Sequence, residues 1–96
     1  MTSETYEIFY EVTQEDIDLG SRSEPQSCPV ARSLQRRYDY ASIGTFTGTV
    51  GVDRASRMKY LDLEHSPETV RFINNFDNRR AVRPGTFSSY ITERTD

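Results

Sequence analysis

Two copies of one local signal constrain this chain more than any other feature of it. A small polar side chain stands directly before proline at Cys28-Pro29, with Ser27 alongside, and again at Ser66-Pro67. Proline is tolerated in the first turn of a helix, where its missing amide would have no partner anyway, and the residue before it is placed to cap the free amides. Each pair therefore marks a helix start. After Pro29, the residues Val30, Leu34 and Tyr38 fall at i, i+4 and i+8 with Ala31 beside them. Arg32, Gln35 and Arg36 lie away from that stripe and Arg37 near its margin, which describes an amphipathic helix with a basic outer face. After Pro67, Glu68 and Thr69 complete the first turn, and Val70, Ile73 and Phe76 form a buried stripe flanked by Phe72.

The segments between these helices read as strands and turns. Tyr6 to Val12 alternates imperfectly and suits a first strand whose second face is partly covered. Thr13 then opens a short helical piece, with Asp16 at the capping-box position and Gly20 placed to end it. Residues 21–27 lack periodicity and read as loop. Asp39 to Ala41 is the exit from the first main helix, and Ile43 to Val52 is expected to form one strand, bent by Gly44, Gly48 and Gly51. A turn at Asp53 to Ala55 leads into a second strand, Arg57 to Leu63. Asp77 to Arg83 breaks the second helix, Pro84-Gly85 turns the chain, and Thr86 to Ile91 reads as a last strand. The expected fold class is a small single-domain α+β sandwich of about four strands and two main helices. The element order fits a split βαβ, ferredoxin-like arrangement, and the glycine-rich strand alternatively allows a strongly curved sheet or partly open barrel around one helix. Residues 1–4 and 92–96 are expected to be polar tails.

With 96 residues, 34% of them hydrophobic, there is material for one modest core. Charge is distributed unevenly along it. Residues 1–26 hold seven acids against one base, Arg22, a net of −6, while residues 27–96 hold eleven bases and eight acids, a net of +3. Eleven of the twelve bases are arginine. That skew reflects either coding composition or a use for guanidinium forks in bidentate contacts to carboxylates or phosphates. Two charged surfaces follow as candidates: an acidic one of Glu7, Glu11, Glu15, Asp16 and Asp18, and a basic one of Arg32, Arg36, Arg79, Arg80 and Arg83. Internal pairing between the two halves of the chain is the competing use of the same charges.

The chemistry-bearing residues do not converge on a catalytic set. His65 is the only histidine and follows Glu64, which offers an acid–base pair but also suits a surface or capping residue. Asp62 and Glu64 alternate along one strand face, a weak basis for a divalent cation site. Cys28, the single cysteine, has no disulfide partner within the chain; it sits where a helix lowers a thiol pKa, or packs as a small side chain at the helix start. The run from Gly44 to Val52 lacks the spacing of a phosphate-binding glycine loop. No catalytic residue, metal ligand or cofactor is assigned. The strands also carry Tyr6, Phe9, Tyr10, Phe46, Tyr60, Phe87 and Tyr90, and Arg54, Arg57, Arg79, Arg80 and Arg83 stand near them in sequence, a combination that stacks bases and neutralises phosphates. No apolar run reaches the length of a membrane span and no signal-peptide pattern opens the chain, so a cytoplasmic protein without membrane contact is expected.

Three stretches, VTQEDIDLG, CPVARSLQRR and the segment from Glu68 through FINNFDNRRAVRPGTF, resemble small uncharacterised proteins of bacteria and their phages. The resemblance covers most of the chain, brings no catalytic residues with it, and implies a phage or mobile-element origin with a host-takeover or anti-defence role. The expectation is then a non-enzymatic binding protein, phage-encoded, acting in the host cytoplasm by modulating or inhibiting a host or defence-system protein through a charged surface. A second copy of the chain is an admissible partner. The alternative is a direct nucleic-acid-binding protein that uses arginines and exposed aromatics.

Overall fold

The computed structural model describes residues 5–93, so the expected tails at 1–4 and 94–96 lie outside the described residues. Strand β1 (Thr5–Val12) leads into the short helix α1 (Gln14–Leu19) and the helix α2 (Pro29–Gln35). Strands β2 (Tyr40–Ile43), β3 (Thr47–Arg54) and β4 (Arg57–His65) follow, then α3 (Pro67–Asp77) and β5 (Gly85–Glu93). The five strands form one antiparallel sheet in the order β1-β5-β4-β3-β2. This is a small single-domain α+β fold.

The strand order differs from the split βαβ expectation. Helix α3 joins β4 and β5, which are immediate antiparallel neighbours, and β1 pairs with β5 at one edge. Helix α2 packs against both β1 and β2, the two outer strands of the sheet. Those edges reach one helix only because the sheet curls around it, which is the curved alternative that the glycines allowed. At Gly48 a side chain would stand 2.8 Å from the Ile43 Cδ1 and 3.0 Å from the Ser42 carbonyl, so only glycine lets β2 and β3 close this tightly.

A fifth strand appears because residues 40–54 make a hairpin of two strands rather than one bent strand. The turn sits at 44–46, with the Gly44 amide donating to the Thr47 carbonyl at 2.8 Å. Strand β5 also includes Thr92 and Glu93, which the sequence assigned to a polar tail. The partner it finds in β1, Thr5 opposite Thr92, is what orders those residues.

The core lies between the curled sheet and the helices. Val12, Val30, Leu34, Val50 and Ile91 are fully buried, each contributing about 1.5–3 kcal/mol by leaving water. In α3 the buried set is Thr69, Phe72, Ile73 and Phe76; Val70 is only half-buried, so the inward stripe is rotated by one residue from the expected one. Alternation in the strands sends Ile8, Tyr10 and Val12 towards the helices and leaves Glu7, Phe9 and Glu11 on the opposite, helix-free face.

Candidate functional site

The best-built polar cluster joins the acidic N-terminal part to the first main helix. Thr13 caps α1, its Oγ1 accepting from the Asp16 amide at 3.1 Å, and the Asp16 Oδ2 accepts from the Thr13 amide at 2.9 Å. The same carboxylate receives both arms of the Arg36 guanidinium at 2.8 and 2.9 Å, and the Arg32 Nε lies 3.6 Å away. Asp16 is 1% exposed. Burial alone would raise its pKa, but the hydrogen bonds from Arg36 and Thr13 outweigh that and hold the carboxyl below its ordinary value. Asp16 is therefore not a steering charge on an open surface, and the Arg36 guanidinium is engaged within its own chain. Arg32 is also drawn to this clamp, with exposed Glu15 at 4.0 Å.

The other predicted charges remain at the surface. Glu15 and Asp18 are exposed on α1, with Asp18 accepting from Gln14 at 2.9 Å. Glu7 and Glu11 are exposed on the helix-free sheet face. Arg79, Arg80 and Arg83 are exposed beyond the end of α3. That end is a Schellman closure: the Arg79 amide donates to the Phe76 carbonyl at 3.1 Å and the Arg80 amide to the Asn75 carbonyl at 2.8 Å. Arg79 occupies the left-handed position of the motif, with φ 62°, where glycine is the usual residue.

Beside this turn an open groove of about 480 Å³ runs between α3 and residues 81–87. Arg71 and Arg83 line it together with Glu68, Asn75 and the rings of Phe72 and Phe87, whose centroids are 4.8 Å apart. Arg80 reaches Asn75 Oδ1 at 3.3 Å. Asp77 is turned elsewhere, accepting from the Ser23 amide at 2.9 Å. The groove thus combines cationic flanks with an aromatic floor.

Sequence reasoning missed a buried hydroxyl network around His65. The imidazole is 6% exposed at the end of β4, and its Nε2–H donates to the Gly44 carbonyl at 3.1 Å. Nδ1 is then the acceptor for the Ser89 hydroxyl at 2.8 Å, and Ser89 Oγ is 2.8 Å from the Tyr10 hydroxyl. Thr69 extends the network, 3.2 Å from Tyr10 and donating to the Ser88 carbonyl at 2.8 Å. Burial pushes the His65 pKa down, against the opposing hydrogen bonds to the backbone. The signal was present in the alternation, since His65 follows Leu61 and Leu63 in phase towards the core. The neutral imidazole here ties β4 to β5 rather than facing solvent.

Cys28 caps α2, its Sγ accepting from the Ala31 amide at 3.4 Å, and is buried. Burial raises the thiol pKa more than the helix amides lower it, so the thiolate is disfavoured. Glu64 and Asp62 share the helix-free face of β4 as their alternation requires. Among the described residues no group of three His, Cys, Asp or Glu side chains is placed to hold a metal ion, and no helix is long and apolar enough to cross a membrane. The aromatics divide: Tyr10 is buried, whereas Phe9, Phe46, Tyr60 and Tyr90 are exposed.

Fold and surfaces together define a small α+β protein with charged and aromatic faces suited to binding. The chain matches no family model, no curated protein and no solved structure.

Proposed function

We propose that this chain is a non-enzymatic nucleic-acid-binding protein whose contact surface is the groove between α3 and residues 81–87. The observation that carries the reading is that Arg71 and Arg83 line one groove with Phe72 and Phe87, with Arg79 and Arg80 at the adjoining helix end. The arginines neutralise phosphates, and the partly open Phe87 ring, backed by buried Phe72, offers a face to an unpaired base, which favours single-stranded over duplex targets. Arg79 adds support, because a non-glycine residue at that left-handed position carries a conformational cost of about 1–2 kcal/mol. Phage origin, and a host or defence protein as the target, rest on the sequence resemblance alone, and the arginine groove ranks the nucleic-acid reading above them.

Fluorescence anisotropy with a labelled single-stranded oligonucleotide tests this reading. Three or four phosphate contacts predict a salt slope of about −2 to −3, so affinity falls about twenty- to fiftyfold between roughly 50 and 200 mM salt. Replacing Arg79, Arg80 and Arg83 together by glutamine is expected to remove most of that slope. An affinity that stays flat across this range, or that survives the triple substitution combined with Arg71→Gln, refutes the groove as the binding site.

A further inference from the structure

The helix-free face of the sheet is a second surface, and its chemistry is opposite to that of the groove. Strand register places Glu7 of β1 and Glu64 of β4 directly opposite Tyr90 of β5, one on each side. All three are exposed, and Tyr90 keeps 42% of its surface open. Neighbouring strands lie about 4.8 Å apart, so the two carboxylates straddle the tyrosine ring about 10 Å from one another. Phe9, 57% exposed, lies on the same face of β1 with Glu11 two residues further on.

We propose that this face docks an arginine-rich segment of a partner protein, with Tyr90 as the stacking platform and Glu7 and Glu64 as the flanking acceptors. A guanidinium laid on an aromatic face gains cation–π attraction, and its coplanar donors reach outward towards carboxylates at the ring's sides. A lysine ammonium is a point charge and cannot use both features in one plane. Alternation turns Lys59 to the other side of β4, and Arg54 and Arg57 sit at the β3–β4 turn, away from the Tyr90 row. The resulting negative field selects a cationic partner over a nucleic acid. It also opposes a second copy placed face to face, since Glu7 and Glu64 would meet like charges.

Part of each sheet edge is also already occupied. On β1 the Phe9 carbonyl accepts from Arg37 at 2.8 Å, and the Glu11 carbonyl from Ser33 and Arg36 at 2.7 Å each. On β2 the Ile43 amide donates to the Pro25 carbonyl at 2.8 Å. These three backbone groups are already paired within the chain, which narrows the edge left to a partner's backbone, while the side chains of the face remain open.

The test uses the full chain with labelled oligo-arginine and oligo-lysine peptides of equal length, read by anisotropy and by amide chemical-shift mapping. Oligo-arginine is expected to bind about three- to fivefold more tightly than oligo-lysine, the increment of an exposed cation–π contact. Shifts should cluster at Glu7, Phe9, Glu64 and Tyr90. Tyr90→Ser should erase the arginine preference, Tyr90→Phe should keep it, and Glu7→Gln with Glu64→Gln should weaken both peptides. Replacing Arg79, Arg80 and Arg83 by glutamine should leave peptide binding in place, which separates this surface from the groove. The inference is overturned by equal affinities that ignore Tyr90→Ser, by shifts centred on Glu15 and Asp18, by an oligonucleotide that competes for the same amides, or by self-association that Tyr90→Ser abolishes.

Discussion

Arg79 offers a way to separate what the fold prefers from what the surface is proposed to do. Its φ of 62° places it in the left-handed region, at the position where helix α3 closes through the Arg79 and Arg80 amides. A residue with a Cβ pays about 1–2 kcal/mol there, whereas glycine pays nothing sterically but loses about 0.4–1 kcal/mol through its freer unfolded chain. The net expectation for Arg79→Gly relative to Arg79→Ala is a gain of about 0.5–1 kcal/mol. The comparison with alanine matters because both substitutions remove the same charge from the negative end of the helix, cancelling the dipole contribution. Urea unfolding of the two variants reads the difference directly, and for a domain of this length it corresponds to about 3–6 °C in Tm. Oligonucleotide affinity should fall equally in both variants, since the guanidinium is gone from each. Equal stabilities would refute the left-handed assignment; a stability gain with undiminished affinity would show that Arg79 is strained for no binding purpose.

Three further outcomes follow from the packing. Asp16→Ala should cost about 2–4 kcal/mol, because a cap and a charge-assisted pair are lost together, and chemical denaturation measures it; Arg36, half-exposed, recovers water on one side and keeps the loss from being larger. Because the Asp16 pKa is lowered in the folded chain, its stabilisation is present above about pH 3.8 and disappears as pH falls through the folded value. His65 is also depressed, so the unfolded chain takes up its proton first: stability should be full above about pH 6.5 and decline below it by at most about 1.4 kcal/mol per pH unit. Urea titrations at about pH 7.5 and 5.5 should show this component in the parent chain and not in His65→Gln. At the β3–β4 turn both Ala55 and Ser56 have positive φ, 50° and 65°, so Ala55→Asn with Ser56→Gly should stabilise the hairpin by about 1–2 kcal/mol, measured by thermal unfolding.

The helix starts were legible in the sequence because capping is local: Ser66 accepts from the Thr69 amide and Cys28 from the Ala31 amide where the proline pairs placed them. The capping box at Thr13 and Asp16 was legible for the same reason. What the sequence could not display was Arg36, twenty residues away, closing on that carboxylate and converting a surface charge into a buried clamp. Strand β2 was hidden because Thr45 and Phe46 carry the side chains of a strand while their backbone makes the turn. The strand order depended on β5 pairing with β1 across nearly the whole chain, a contact with no local signature. Of the candidate basic surface, Arg79, Arg80 and Arg83 lie exposed beyond the end of α3. The groove beside them depends on Phe72 and Phe87 meeting across the α3–β5 connection, which no spacing announces.

Ser33 of α2 and the two arginines that directly follow the helix occupy the Phe9 and Glu11 carbonyls on the outer edge of β1, so this helix and its end act as a guard as well as a core element. An unpaired strand edge is a template for another chain's backbone, and here Ser33, Arg36 and Arg37 must leave before β1 can serve as one. Loosening α2 alone, with the sheet still intact, would therefore expose a ready site for chain-to-chain strand growth. Aggregation rate, more than melting temperature, becomes the quantity that senses how firmly this short helix is seated.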